Sequence, residues 1–235
     1  MAIQNLIHGD CMDLMRSKPD MFYDLAIVDP PYGINITKQG LGKGGGLYRQ
    51  KEKQYKVGAW DDKAPDSNYF DELFRISKNQ IIWGGNYFDL PPTPCFIFWD
   101  KNNGGSDFAD GELAWTSFLS PVRKFRFTWS GFIQGNMGSK KETRIHPTQK
   151  PIALYKWLLT NYAKHGDKIF DSHGGSFSHA IAAYDLGFDL DIIELDEDYF
   201  KAGKERFDNH VLKCEEIKQF GYAKTAIKDI YPILF

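Results

Sequence analysis

Short apolar runs alternate along the chain with stretches that are apolar only at every third or fourth position. The runs Ile3–His8, Asp24–Val28, Gln80–Trp83, Cys95–Trp99, Lys168–Phe170 and Phe188–Leu195 have strand length, and the continuous ones suit strands buried on both faces. The amphipathic stretches predict helices over Cys11–Ser17, from an Asp66 cap through Arg75, and over Pro151–Lys164, Ser178–Leu186 and Glu197–Phe207. Thr148 is placed to cap the helix whose apolar stripe is Ile152, Tyr155, Leu158, Leu159 and Tyr162, with Gly166 as its closing glycine; Gly187 closes the next one. Leu113–Phe118 and Lys124–Trp129 predict an antiparallel pair turning at Ser120-Pro121. This alternation gives an α/β fold, a mostly parallel sheet with helices on both faces. A chain of 235 residues suits a single domain, 1–235.

Two stretches break the pattern. Residues 37–58 are rich in Gly, Lys and Gln and too polar to pack, which predicts a mobile loop. Residues 131–144 are a shorter segment of the same kind.

Charge changes the picture only through its distribution. The net charge of −2 carries no global nucleic-acid signal. Yet residues 37–58 hold Lys38, Lys43, Arg49, Lys51, Lys53 and Lys56 against Glu52 alone, and residues 121–150 hold Arg123, Lys124, Arg126, Lys140, Lys141, Arg144 and Lys150 against Glu142 alone. Such runs beside an acidic half permit a phosphate-facing surface. No apolar run reaches the length of a membrane span, and three widely spaced cysteines fit neither a disulfide framework nor a zinc site. We therefore expect a cytoplasmic protein with no membrane partner and no metal, for which a homodimer is a candidate assembly.

The sharpest chemical signal is Asp29-Pro30-Pro31-Tyr32-Gly33, directly after an apolar strand. In open α/β sheets ligands sit beyond the carboxyl ends of strands. Two prolines fix the backbone and remove two N–H donors, leaving carbonyls that only accept. An exocyclic amine on a heteroaromatic ring is a poor nucleophile, because its lone pair is delocalised. Acceptors on its hydrogens, such as the Asp29 carboxylate and the Pro30 carbonyl, draw the nitrogen towards sp³. Tyr32 offers a flat face to an extruded base.

A second signal is the turn Asp171-Ser172-His173-Gly174-Gly175-Ser176 between a strand and a helix. Glycines there let backbone approach a ligand, and Glu194 ends the next strand where ribose hydroxyls are gripped in nucleotide sites. A third is His146-Pro147-Thr148-Gln149-Lys150-Pro151, opening a helix. The fourth is His8-Gly9-Asp10, where Asp10 could accept from an adenine amino group or simply cap the helix beginning at Cys11. Pro94-Cys95 reads as a buried thiol, and Trp83, Trp99, Trp115 and Trp129 read as core.

Together these segments resemble the amino-group DNA methyltransferases in their β-type order, in which the Asp-Pro-Pro-Tyr motif precedes the S-adenosylmethionine motifs. The resemblance covers nearly the whole chain. It implies the S-adenosylmethionine-dependent methyltransferase fold, a seven-stranded sheet with one antiparallel strand, and a small enzyme of the phage or mobile-element orphan kind. It implies Asp29, Pro30, Pro31 and Tyr32 as the catalytic set, and Asp10, Cys11, Lys150, Asp171, His173, Gly175, Ser176, Glu194 and Asp196 as the cofactor set. It also implies S-adenosyl-L-methionine as cofactor, double-stranded DNA as substrate, and target recognition by 101–145. Lys38, Lys43, Arg49, Lys51, Lys53, Arg123, Lys140, Lys141 and Arg144 are the expected DNA contacts.

Asp at the first motif position favours adenine N6. The alternatives are N4-cytosine methylation, which uses the same donor, and a catalytically weak DNA- or cofactor-binding relic. One position departs from the family turn. Phe177 stands at its last glycine, so its ring either occludes the methionine end of the cofactor site or packs away from it, with Ser178 as helix cap; we expect weakened binding.

Overall fold

The computed structural model describes residues 2–34, 63–104, 109–130, 133–138 and 141–219. The predicted mobile loop, with Lys38, Lys43, Arg49, Lys51 and Lys53, lies outside the described residues, as does Lys140.

Ten strands and five helices follow in chain order among the described residues: β1 (Gln4–His8), α1 (Cys11–Ser17), β2 (Tyr23–Val28), α2 (Ser67–Ile76), β3 (Ser77–Trp83), β4 (Phe96–Asp100), β5 (Gly111–Thr116), β6 (Arg123–Arg126), β7 (Trp129–Ser130), β8 (Ile133–Gln134), α3 (Ile152–Tyr162), β9 (Lys168–Asp171), α4 (Ser178–Leu186), β10 (Asp189–Glu194) and α5 (Glu197–Gln219). Eight strands form one sheet in the order β1-β10-β9-β2-β3-β5-β4-β6. Only β5 is reversed; it pairs antiparallel with both β3 and β4, whereas β4 and β6 are parallel.

Period-two alternation assigns the faces. Leu25, Ile27, Ile81, Ile169 and Ile192 pack with α3, α4 and Phe207 of α5. Their neighbours Ala26, Val28, Ile82, Phe170 and Ile193 pack with Met15 of α1 and with Tyr69, Phe70, Leu73 and Ile76 of α2. Cys95 and all four of the tryptophans expected in the core are buried.

The structure corrects four expectations. The sheet has eight strands, not seven, because β6 adds to the free edge of β4 with Phe125 inward and Arg123, Lys124 and Arg126 in solvent. The predicted hairpin between β5 and β6 does not form. Ala114, Trp115 and Thr116 are buried and belong inside the sheet, so β4 and β6 flank each other instead. Thr148 does not cap α3; its hydroxyl pairs with His146, and the Glu142 carboxylate accepts from the Ile152 N–H at 3.0 Å. Gly166 lies beyond that helix, in the turn where Asp167 accepts from the Lys164 N–H.

Candidate active site

Strand ends place the acids of the candidate site. Five strands run parallel from β1 to β3, so Asp29, Trp83, Asp171 and Glu194 fall at one edge of the sheet. The reversed β5 brings its amino end to that same edge, where Gly111 pairs with Asp100 and Ala114 with Trp83. Glu112 is thereby delivered beside Asp29.

Asp29 and Tyr32 meet each other directly. The Tyr32 hydroxyl donates to Asp29 Oδ1 at 2.8 Å. Gly84 lets the ring in: a Cβ there would lie 2.2 Å from Tyr32 Cε1, and its φ of +69° suits glycine. Tyr87 stacks on the Tyr32 ring with centroids 4.9 Å apart and planes 13° from parallel. One face of the ring is therefore covered, by a side chain that is itself 49% exposed.

Lys150, which the resemblance implies as a cofactor residue, joins this group instead. Its ammonium, 3% exposed, lies 2.5 Å from Asp29 Oδ2 and 3.2 Å from Glu112 Oε2. The segment before it is folded upon itself. Gln149 accepts from the Ile145 N–H and donates to the Thr143 carbonyl, and Trp129 Nε1 donates to the Gln149 carbonyl at 2.8 Å. Burial opposes the charge on Lys150, but Asp29 and Glu112 hold it above the usual lysine range. Burial pushes the Asp29 carboxyl up, with Glu112 adding to it, against the pull of Lys150 and Tyr32. His146 packs on Tyr199, and burial together with Lys150 pushes it down to about 3, so it stays neutral.

The Gly/Ser turn and Glu194 also come together. Glu194 Oε2 accepts from the Gly175 N–H at 2.7 Å and Oε1 from the Asp196 N–H at 2.8 Å. Next to them a cleft of about 300 Å³ is lined by Asp10, Cys11, Asp66, Tyr69, His173 and Leu195, among others. That lies at the small end of the roughly 300–1,000 Å³ usual for small-molecule sites. A chain runs along it from Tyr69 through Ser172 (2.6 Å) to His173 Nδ1 (2.7 Å). Burial pushes His173 down to about 4 and, with Asp10, pushes the Cys11 thiol up to about 12, so both are neutral near pH 7.

Other expected cofactor residues have structural partners. Asp10 caps α1, accepting from the Met12 N–H at 2.8 Å, and Asp196 accepts from the Asp198 and Tyr199 N–H groups at the start of α5. Asp171 is buried and bound to the His173 N–H and to His179 Nδ1. Ser176 is buried against Ser178. Phe177 does not occlude the cleft: it is 0% exposed, holds φ +55°, and packs on Phe200. As the residue preceding α4 it occupies the cap position itself, so Ser178 is not the cap.

Of the expected DNA contacts, Arg123 starts β6 and lies at the opposite edge of the sheet; Arg126, which was not among them, ends β6 beside Asp100. Arg144 donates to the Pro147 carbonyl at 2.7 Å and lies over Trp129. Lys141 is exposed.

Sequence reasoning missed Glu112 and Tyr87. The signal for Glu112 was an acid opening an apolar run, but its partner depends on which strand is reversed. Asp185, His210 and Cys214 also meet, with ligand-type atoms within 4.8 Å of one another. Lys156 holds Asp185 Oδ2 at 2.7 Å and His210 holds Oδ1 at 2.6 Å, so the group ties α3, α4 and α5 together.

Asp29-Pro30-Pro31-Tyr32 follows one central strand, and the Gly/Ser turn and its acidic partner follow the next two, in an α/β sheet of the kind found in S-adenosylmethionine-dependent methyltransferases. The family described as DNA methylase, of the N6/N4 type, matches residues 121–205. DNA adenine methyltransferase YhdJ of Escherichia coli (strain K12) is 24% identical over 280 residues, covering 94% of this chain and 89% of that protein. Type II methyltransferase M2.MboI of Moraxella bovis is 23% identical, covering 86% and 87%. In fold, the chain is similar to PvuII DNA methyltransferase (cytosine-N4-specific), with a TM-score of 0.53 at 14% identity over 87% of this chain and 86% of that one. It is also similar to the M1.HpyAVI–SAM complex, with a TM-score of 0.51 at 19% identity over 87% and 100%. The chain is thus similar to N6/N4 amino-group DNA methyltransferases, over residues 121–205 by the family match and along most of its length by these relatives.

Proposed function

We propose that the chain methylates adenine N6 in duplex DNA, taking the methyl group from S-adenosylmethionine and acting on a base flipped out of the helix. The observation that carries this reading is the meeting of Asp29 and Tyr32 with Glu194 and the Gly/Ser turn at one sheet edge. The cleft fits the cofactor by its donor set. Asp10 and Asp66 line it and Glu194 stands beside it, acids that suit ribose hydroxyls and a cationic ligand, and Tyr69 and His173 offer ring surface to an adenine. When bound, S-adenosylmethionine supplies a sulfonium methyl: a carbon–nitrogen bond forms, the methyl–sulfur bond breaks, and the amine releases one proton.

The chain's own residues do the rest. Asp29 and the Pro30 carbonyl accept the amine hydrogens and stabilise the positive charge that develops on nitrogen. Tyr32 gives the base a stacking surface, which requires entry on the face away from Tyr87 or displacement of that ring.

Adenine is supported by Asp29 at the first motif position and by the adenine methyltransferase among the relatives. N4-cytosine methylation is the second reading, because its amine needs the same acceptors. The test is tritiated methyl transfer to DNA lacking methylation, followed by nucleoside analysis. N6-methyladenine is expected. N4-methylcytosine without N6-methyladenine overturns the base assignment, and no transfer to any DNA overturns the activity.

A further inference from the structure

Four charges alternate through the site: Lys101, Glu112, Lys150 and Asp29. Lys101 pairs with Glu112 Oε1, leaving Oε2 towards Lys150. Glu112 has no part in the family motifs discussed above, yet it closes this chain.

The arrangement poses a conflict. Asp29 has one oxygen on the Tyr32 hydroxyl and the other on Lys150 at 2.5 Å. The target amine needs that carboxylate too, so amine and ammonium compete for one oxygen. Lys150 is 3% exposed and cannot hand its charge to water. A buried cation without a partner costs several kcal/mol. Among the described residues, the other carboxylate in ion-pair contact with it is Glu112, at 3.2 Å. We propose that Glu112 is a positioning residue for methyl transfer, taking the ammonium of Lys150 when the target amine takes Asp29. The proposal rests on the reading of Asp29 as amine acceptor.

Glu112 is suited to the task. Burial pushes its carboxyl up, but Lys150 and Lys101 outweigh this and hold it at about 2, so it is an anion at any working pH. It also raises Asp29, keeping that carboxylate a better acceptor than Lys150 alone would leave it.

The experiment compares the full chain with E112Q and E112D. Single-turnover methylation of duplex DNA is measured across pH, together with cofactor binding by calorimetry and the unfolding midpoint. E112Q is expected to slow methyl transfer ~10- to ~100-fold while cofactor affinity stays within about threefold. Its acid limb should move to lower pH, because the group that raises Asp29 has lost its charge. E112D keeps the charge, so it should retain the parent's acid limb and recover part of the rate. Parent rate and an unmoved limb in E112Q overturn the proposal. So does an equal loss in E112D and E112Q, which makes shape and not charge the requirement. If E112Q does not fold, E112D decides by its rate: its shorter carboxylate stands back from Lys150 and should slow methyl transfer at unchanged cofactor affinity, and the parent rate in E112D overturns the proposal. A parent that methylates no DNA fails the reading of Asp29 itself, a result separate from these.

Discussion

The ring of Phe177 fills the space that a side chain at Gly203 would need: a Cβ on Gly203 would stand 3.1 Å from its Cγ and Cδ2. Gly174 faces the same ring, with its Cβ position 2.2 Å from Phe177 Cε1. The backbone keeps a left-handed φ of +55°, the conformation glycine adopts most easily, while the side chain is drawn into the core. Phe177→Gly should therefore be destabilising despite the released strain. Losing a buried Phe ring costs about 3–5 kcal/mol, and relieving the Cβ strain of the left-handed backbone returns about 1–2. A net loss of roughly 2 kcal/mol in denaturant unfolding, with cofactor affinity unchanged, is expected. Tighter cofactor binding in the glycine variant would revive occlusion.

Asp29→Ala should lower methyl transfer by ~10²–10⁴, the usual range for losing a positioned acceptor or base. Cofactor binding should persist, since Glu194 and the Gly/Ser turn do not depend on Asp29. In the parent, burial raises the Asp29 carboxyl above its usual range. Activity should consequently fall with an acid limb above the ordinary aspartate value of ~3.9, as protonation removes the acceptor. Rates of Asp29→Ala within a few-fold of the parent would exclude the role.

Local signals in the chain located most of the elements. α1 was legible to the residue because Asp10 caps it and its apolar spacing is regular. The strand-end segments holding Asp29 and Glu194 were legible for the same reason: each is read from a few neighbouring residues. What depends on distant partners was not. Glu142 caps α3 from outside its own helix, which no local pattern around Thr148 reveals. Glu112 and Lys150 meet because one strand runs backwards, and reversal is a property of the sheet. Tyr87 covers Tyr32 through a short 3₁₀ turn at Gly85–Tyr87 that carries no strong pattern. α5 runs on to Gln219, well past Phe207; its continuation is polar, and His210 ties it to Asp185 in α4.

His210 carries a pH-dependent share of that helix packing. Burial opposes its charge, but hydrogen bonds to Asp185 and Cys214 raise it to about 9. The folded value lies above the unfolded one of ~6.5. The contribution is thus fully present below pH ~6.5 and is lost as pH rises through about 9. Partial exposure limits it to on the order of 1–3 kcal/mol. Urea unfolding from pH 6 to 10 should show this decline, and His210→Gln should flatten it. A decline of equal size in the variant would assign it to other groups.

The position of the exposed cations predicts where DNA lies. Arg126 ends β6 at the edge that carries Asp29, and Lys141 precedes the Glu142 that caps α3 beside Lys150. Arg123 begins β6 at the far edge. A duplex that offers its base to Tyr32 can reach the first two with its phosphates but not the third. Removing one phosphate contact lowers the slope of log K against log salt by about 0.9. Arg126→Gln and Lys141→Gln should each reduce the slope by roughly one unit, and Arg123→Gln should leave it unchanged. Arg144→Gln should act differently, because it loses the Pro147 carbonyl and loosens the segment that delivers Lys150. Its expected effect is a lower methylation rate with an unaltered slope. If Arg123→Gln lowers the slope as much as Arg126→Gln, the DNA crosses the other edge of the sheet.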